Sequence, residues 1–267
     1  MYKRQKYGAI KKDQDFVVKL ATGFFDNPSK GLPPFSGCML VFSQSTGELK
    51  AILLEEGELT NHRTAAAGAV AAKILGPKIV NQIGIVGTGV QARLQAAYLR
   101  KVTNCRDLCI WGRSLANAEL AAEDLREMGF KSTVAVDLKN LCSGSNLIVT
   151  TTPSTSPLLK DDMILAGTHI TAMGSDTPVK CELSPKILSS AAIISTDSKE
   201  QAIHRGEIAQ ALREKEITKN QIKELGDIII DPSKGRLNEE QITISDLSGV
   251  AAQDIMIAKE VTEILLD

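Results

Sequence analysis

The 267-residue sequence predicts an α/β fold built on a doubly wound parallel sheet, and two observations carry that prediction. The first is the run Ile83-Gly84-Ile85-Val86-Gly87-Thr88-Gly89-Val90-Gln91-Ala92. Here an apolar stretch ends in Gly-x-Gly-x-x-Ala, and a helix-like run, Arg93 to Lys101, follows at once. The second is the alternation of short apolar runs with helix-length runs from there to Lys215, the pattern that right-handed strand–helix–strand crossovers produce.

A strand, a glycine turn and a helix in this order spell a nucleotide-binding unit. Gly87 permits the tight turn, Gly89 lets a pyrophosphate approach the backbone, and Ala92 lets the helix pack close to the strand. The helix start offers free N–H groups and the positive end of its dipole to phosphates. An ordinary glycine turn would read the same way in isolation. The strand before it and the helix after it favour a dinucleotide, and no Gly-Lys-Ser/Thr follows to support a mononucleotide P-loop.

Composition narrows the class. The length suffices for a large core, in one large or two small domains. At 43% hydrophobic and 24% charged, with a net charge of −1, the chain reads as soluble and globular, with no field that would recruit nucleic acid or a membrane. No apolar stretch is long enough to span a bilayer and no signal peptide opens the chain, so a cytoplasmic location is expected. Cys38, Cys105, Cys109, Cys142 and Cys181 are odd in number and mostly in apolar contexts, which fits buried thiols better than a disulfide framework. No metal site is expected: Cys105 and Cys109 lack nearby ligands, and His62, His169 and His204 show no ligand spacing.

In chain order, Met1–Asp15 is polar and basic and reads as a solvated tail. Phe16–Phe25 reads as a strand. Within it Lys19 has two readings: alternation points it to solvent, or it is a carboxylate- or imine-binding lysine. Asp26 to Pro34 is a loop of turn residues. Cys38–Ser43 and Leu49–Leu54 form a hairpin through Gln44-Ser-Thr-Gly47. Thr60 can cap the next helix, whose Ala65–Leu75 stretch is nearly all small and must pack on a flat surface. Arg63 in its first turn is a cation that opposes the helix dipole; it is easier to explain if it faces an anion such as a substrate carboxylate than as a surface arginine.

Beyond the glycine turn, strands are expected at Leu108–Trp111, Ser132–Val136, Leu147–Thr152, His169–Met173 and Ala192–Thr196. Helices are expected at Leu115–Met128, with apolar positions 120, 121 and 125, at Leu138–Cys142 and at Gln201–Lys215. Thr243–Asp254 leads into a final amphipathic helix through Leu266, with Ile255, Ala258, Val261 and Leu265 as its apolar face.

Ligands of doubly wound sheets bind at the carboxyl ends of strands, which singles out Arg113 and Ser114, Thr151 to Pro153, and Gly174 to Asp176. An acid after the second strand would bind the ribose of NAD. Trp111-Gly-Arg-Ser114 has none, and Arg113 would accommodate the 2′-phosphate of NADP or stack over the adenine. Asp176 is the best-placed acid/base candidate, although an aspartate in a turn is also a common structural choice.

Taken together these segments resemble the ornithine cyclodeaminase/μ-crystallin family of NAD(P)-dependent enzymes. The shared residues are Leu59-Thr-x-x-Arg-Thr-Ala-Ala-Ala67, Gly87-x-Gly-Val-Gln-Ala92, Trp111-x-Arg-Ser114, Val149-Thr-x-Thr-Pro153, Gly167-Thr-His-Ile-x-Ala-x-Gly-x-Asp176, Glu182-Leu183, Asp197-Ser198, Ser248-Gly249 and Gln253-Asp254, spread over most of residues 16–260. The resemblance implies a homodimer whose chains have two domains. A Rossmann-like dinucleotide domain takes residues 63–242; a smaller α+β substrate and dimerisation domain takes residues 1–62 and 243–267. It implies that Lys19 and Arg63 hold a substrate carboxylate, with Lys19 assisting proton transfer, and that Asp176 is the acid/base. It places Gly87, Thr88, Gly89, Val90 and Gln91 around the pyrophosphate. Arg113 and Ser114, Thr151, Thr152 and Pro153, Met173 and Gly174, and Ser248 and Gly249 complete the cofactor-binding set.

The implied chemistry is hydride transfer between nicotinamide C4 and the α-carbon of an amino or imino acid. NADP(H) is expected before NAD(H), and reduction of a cyclic imine such as pyrroline-2-carboxylate is expected before ornithine cyclodeamination, alanine dehydrogenation or a non-catalytic NADPH-binding role. Family members carry a strand-and-helix region ahead of the lysine strand, with a further carboxylate-binding arginine. This sequence is expected to begin part-way through that pattern, with Met1–Gln5 outside the native one.

Overall fold

The computed structural model describes residues 2–24, 26–33 and 35–266. Met1 at the start of the expected tail, Phe25 at the end of the first expected strand, Pro34 at the end of the loop and Asp267 lie outside them. In chain order, β1 (Tyr2–Ala9), β2 (Asp15–Gly23), β3 (Phe35–Ser43) and β4 (Leu49–Leu54) precede α1 (Glu58–Leu75). Then follow β5 (Ile83–Val86), α2 (Val90–Leu99), β6 (Asp107–Trp111), α3 (Leu115–Glu127), β7 (Lys131–Val134), α4 (Leu138–Gly144), β8 (Leu147–Thr150) and β9 (His169–Ala172). The last third holds α5 (Pro185–Ser190), β10 (Ile193–Thr196), α6 (Lys199–Ala202), α7 (Gly206–Arg213), β11 (Ile222–Glu224), α8 (Leu225–Ile230), β12 (Thr243–Asp246) and α9 (Ala251–Leu266). The chain divides into two compact units, Met1–Thr64 with Gly249–Asp267, and Ala65–Ser248.

In the first unit β1 to β4 form an antiparallel sheet in sequence order. Its inner face, Val17, Met39, Val41 and Leu53, packs on Ile255 and Ala258 of α9. Most of the expected tail is a strand: β1 pairs with β2 from Phe16 to Gly23, with Lys6 opposite Lys19 and Tyr7 opposite Val18. It carries no hydrophobic alternation because its inward residues are Lys6 and Gly8. Gly8 is needed for close approach, since a Cβ there would lie 2.8 Å from that of Ala251. On α9 the buried stripe runs through Ile255, Ala258 and Thr262, while Leu265 of the expected apolar face is exposed. Thr262 takes an inward place because its hydroxyl donates to the Ala258 carbonyl at 2.7 Å, one turn back. The outer face of the sheet stays apolar and open: Phe16 stacks on Phe42 at 4.8 Å, and Ile52 and Leu54 are 56% and 81% exposed.

The second unit is an eight-stranded parallel sheet in the order β11-β10-β12-β9-β8-β5-β6-β7. From β5 the chain steps to β6 and β7, then returns to place β8 on the other side of β5; that reversal is the switch point where such sheets bind ligands. All four residues of β5, β8, β9, β10 and β12 are buried, as strands covered on both faces must be.

Thr243–Asp246 is a strand of this sheet, not a lead into the last helix, so residues 243–248 belong to the second unit. Its polar letters hide it. The Thr243 hydroxyl donates to the Leu75 carbonyl at 2.8 Å, and the Ser245 and Ser195 hydroxyls meet at 2.7 Å, which makes burial tolerable. The expected helix over 201–215 is two, α6 and α7, broken where Gly206 turns to φ +82°. On α3 the buried face is Ala118, Ala121, Ala122 and Leu125, and Leu120 points outward. β11 and α8 were not legible in the sequence pattern.

Candidate active site

The second unit supplies a cleft of about 430 Å³ at the switch point, lined by the glycine turn, Trp111 to Ser114 and Thr151 to Pro153. Gly87 adopts φ +126°, and any side chain there would overlap Thr151; its N–H donates to the Trp111 carbonyl at 2.8 Å. Gly89 begins α2 with no side-chain cap, and nothing lies within 4 Å of where its Cβ would be. The open space beside Gly89, a helix start with no side-chain cap and the helix dipole fit a pyrophosphate. Val90 is exposed beside Gly89, Gln91 is half-buried, and Arg93 braces the turn by donating to the Thr88 carbonyl at 2.6 Å. Arg113 is exposed at the cleft, and Ser114 caps α3 by accepting the Asn117 N–H.

Across the switch point, Thr151 donates its N–H to the Val86 carbonyl at 2.8 Å and Met173 donates to Thr150 at 2.9 Å. Asp176 is half-buried and paired to Lys180 at 2.7 Å, one helical spacing on. The Ser248 N–H faces the Asp197 carboxylate at 3.4 Å. Beneath this face, Glu182 and Glu207 are buried carboxylates. Burial pushes the Glu207 carboxyl up to about 7, against the backbone N–H groups that donate to it.

The first unit gathers charges. Lys19, which spacing alone points to solvent, is 2% exposed: its Nζ lies 3.0 Å from Asp254 Oδ1 and 3.9 Å from Glu55 Oε1. The sheet's inner face carries a charge here because partners wait on α9. Arg63 Nε lies 3.1 Å from the same Asp254 oxygen, and its Nη1 donates to Gln253 at 2.7 Å. Lys6 Nζ donates to the Gly249 carbonyl at 2.8 Å and lies 3.8 Å from Asp254 Oδ2. Gly249, at φ +81°, leaves the room these cations occupy: a Cβ there would lie 2.6 Å from Arg63 and 2.8 Å from Lys6.

Asp254 sits in the first turn of α9, where the dipole favours a carboxylate. Thr60 does not cap α1; it lies inside the helix, and Glu55 accepts both its N–H at 2.7 Å and its hydroxyl. Three cations thus meet two carboxylates, a balance that suits one incoming carboxylate. Burial and the neighbouring Arg63 lower the Lys19 pKa, against the pull of Asp254.

Lys6, Glu55 and Asp254 were not among the expected site residues. Reading Ile10–Gln14 as a hairpin turn would have set Lys6 opposite Lys19; nothing in the letters around Glu55 marks it. Among the described residues no group of three or more His, Cys, Asp or Glu could hold a metal, and no helix is long and apolar enough to cross a membrane.

A glycine turn left open at the switch point of a doubly wound sheet marks the class: a Rossmann-type, NAD(P)-dependent enzyme. The particular lineage is equally plain, for the chain belongs to the ornithine cyclodeaminase/mu-crystallin family, whose model matches residues 9–267. It is 42% identical over 245 residues to an uncharacterized cyclodeaminase of Sinorhizobium fredii, covering 91% of this chain and 74% of that protein. Its structure superposes on an archaeal alanine dehydrogenase dimer with bound NAD at a TM-score of 0.89, with 32% identity over 98% of this chain and 84% of that one. It superposes on the Δ1-pyrroline-2-carboxylate reductase of Thermococcus litoralis, in complex with NADH and L-proline, at 0.88, with 27% identity over 98% and 86%.

Proposed function

We propose that the protein reduces a small cyclic α-imino acid, of the pyrroline-2-carboxylate kind, to the amino acid, with NADPH preferred over NADH. The observation that carries this reading is the convergence of Lys6, Lys19 and Arg63 on Asp254, a buried cluster whose three cations outnumber its two carboxylates, Asp254 and Glu55. A bound nicotinamide would supply the hydride to the substrate α-carbon. Lys19 and Arg63 hold the substrate carboxylate and so fix the α-carbon, and Lys6 adds a third charge. Charge developing on the imine nitrogen is met by a proton from Lys19 or Asp176. The lowered pKa of Lys19 makes its ammonium a readier donor than a solvated lysine. The preference for NADPH rests on Arg113, exposed at the cleft with no acid beside it in Trp111-Gly-Arg-Ser114.

A second reading, cyclodeamination of L-ornithine to L-proline and ammonia with catalytic NAD, is favoured by Asp176 as an acid/base and by the resemblance to a cyclodeaminase. The open apolar face of the first unit's sheet supports a homodimer, in keeping with the alanine dehydrogenase dimer.

The test is the loss of nicotinamide absorbance on adding pyrroline-2-carboxylate to enzyme and NADPH. Consumption that disappears in Arg63→Met supports the reading. No consumption, with ammonia released from L-ornithine and no net cofactor turnover, replaces it by the second.

A further inference from the structure

We propose that Glu182 is a positioning residue for the nicotinamide half of the cofactor, holding the chain segments that leave β8 and β9 at the spacing this half requires. The proposal rests on reading the cleft as a dinucleotide site. Glu182 has no exposed surface and does not line the cleft, so it acts through its partners. Its Oε1 accepts the Thr152 backbone N–H at 2.6 Å and the Thr152 hydroxyl at 2.8 Å. Its Oε2 accepts the Thr150 hydroxyl at 2.7 Å and the Gly174 N–H at 2.9 Å. An ionised carboxylate can take four such bonds, two on each oxygen. Burial pushes this carboxyl up, and the hydrogen bonds donated by Thr150, Thr152 and Gly174 pull it back.

The clamp is rigid at both ends. A Cβ on Gly174 would overlap the Thr152 backbone and the Glu182 carboxylate, so the two strand ends meet with no slack. Behind it, Glu207 accepts the N–H groups of Glu182 at 2.7 Å and Leu183 at 3.1 Å, which fixes the segment that carries Glu182. The topology says which half of the ligand is affected. The glycine turn after β5 takes the phosphates, and Trp111 to Ser114 after β6 take the adenosine. A dinucleotide lying across the switch point therefore reaches the ends of β8 and β9 with its other half.

Glu182→Gln tests this on the intact chain. The variant is nearly isosteric, but either orientation of its amide turns an NH2 group toward a backbone N–H, of Thr152 or of Gly174. Dissociation constants for NADH, NADPH and ADP are read from Trp111 quenching. Both dinucleotides are expected to weaken about tenfold while ADP changes by less than about twofold. Equal loss of all three ligands, the mark of a merely structural role, overturns the proposal, as does unchanged dinucleotide affinity. A wild-type protein that binds none of the three overturns the cleft reading instead. If Glu182→Gln does not fold, Thr150→Val removes one buried donor at nearly constant volume. It must show the same split at about threefold, and no split overturns the proposal.

Discussion

Replacing Lys19 by Met keeps most of the buried volume and removes the charge that faces Asp254 at 3.0 Å. If the cluster seats a substrate carboxylate, kcat/KM falls by about a hundredfold or more, because a desolvated charge partner is lost. Steady-state kinetics check this, with NADPH affinity as the control that does not move. Arg113→Asp acts elsewhere: NADPH binding weakens more than NADH binding, and equal losses in titrations of both would remove the 2′-phosphate reading.

His169 gives a pH signature. Its Nδ1 lies 2.8 Å from a Thr243 hydroxyl that already donates to Leu75, so Nδ1 carries a proton. Burial, with Arg236 nearby, lowers its pKa from 6.5 to about 3. A lowered folded-state pKa gives stability that is full above 6.5 and lost as pH falls toward about 3. Wild type should therefore lose stability relative to His169→Gln by about 1 kcal/mol per pH unit in that window, read from urea unfolding.

At the scale of elements, Gly87 joins strand to helix. Gly87→Ala must hold a side chain at φ +126° against Thr151, a strain of about 1–3 kcal/mol. Calorimetry should show a lower Tm, and Trp111 quenching by NADPH should be lost.

Elements built on apolar runs, such as β5, β6 and β8, were legible because parallel strands covered by helices are mostly written in hydrophobic letters. β12 and β1 were not. In β12, Thr243 and Ser245 are buried with hydroxyl partners, and in β1 the inward places go to Lys6 and Gly8. The same distinction governs the site. The glycine turn at the switch point and the place of Arg63 in the charge cluster could be read from motif and position, whereas Asp176 is found paired to Lys180. The inward turn of Lys19 could not be read, since it depends on Asp254, 235 residues further along the chain.

At the scale of the whole molecule, both ends of the chain build the first unit, so Lys19 and Asp254 meet only once the second unit's sequence has been spanned. The outer face of its sheet, with Ile52 and Leu54 exposed, predicts self-association. Ile52→Asp places a charge on that face and should shift sedimentation velocity from dimer to monomer; a wild-type monomer would contradict the prediction.

Hydride transfer to a substrate α-carbon leaves an isotopic mark on the product. The mark is read by mass analysis of the product formed from pyrroline-2-carboxylate and NADPH deuterated at the transferred C4 position. Proline carrying one deuterium at the α-carbon is the predicted result. Proline without deuterium, or no proline while NADPH binds normally, would contradict the account.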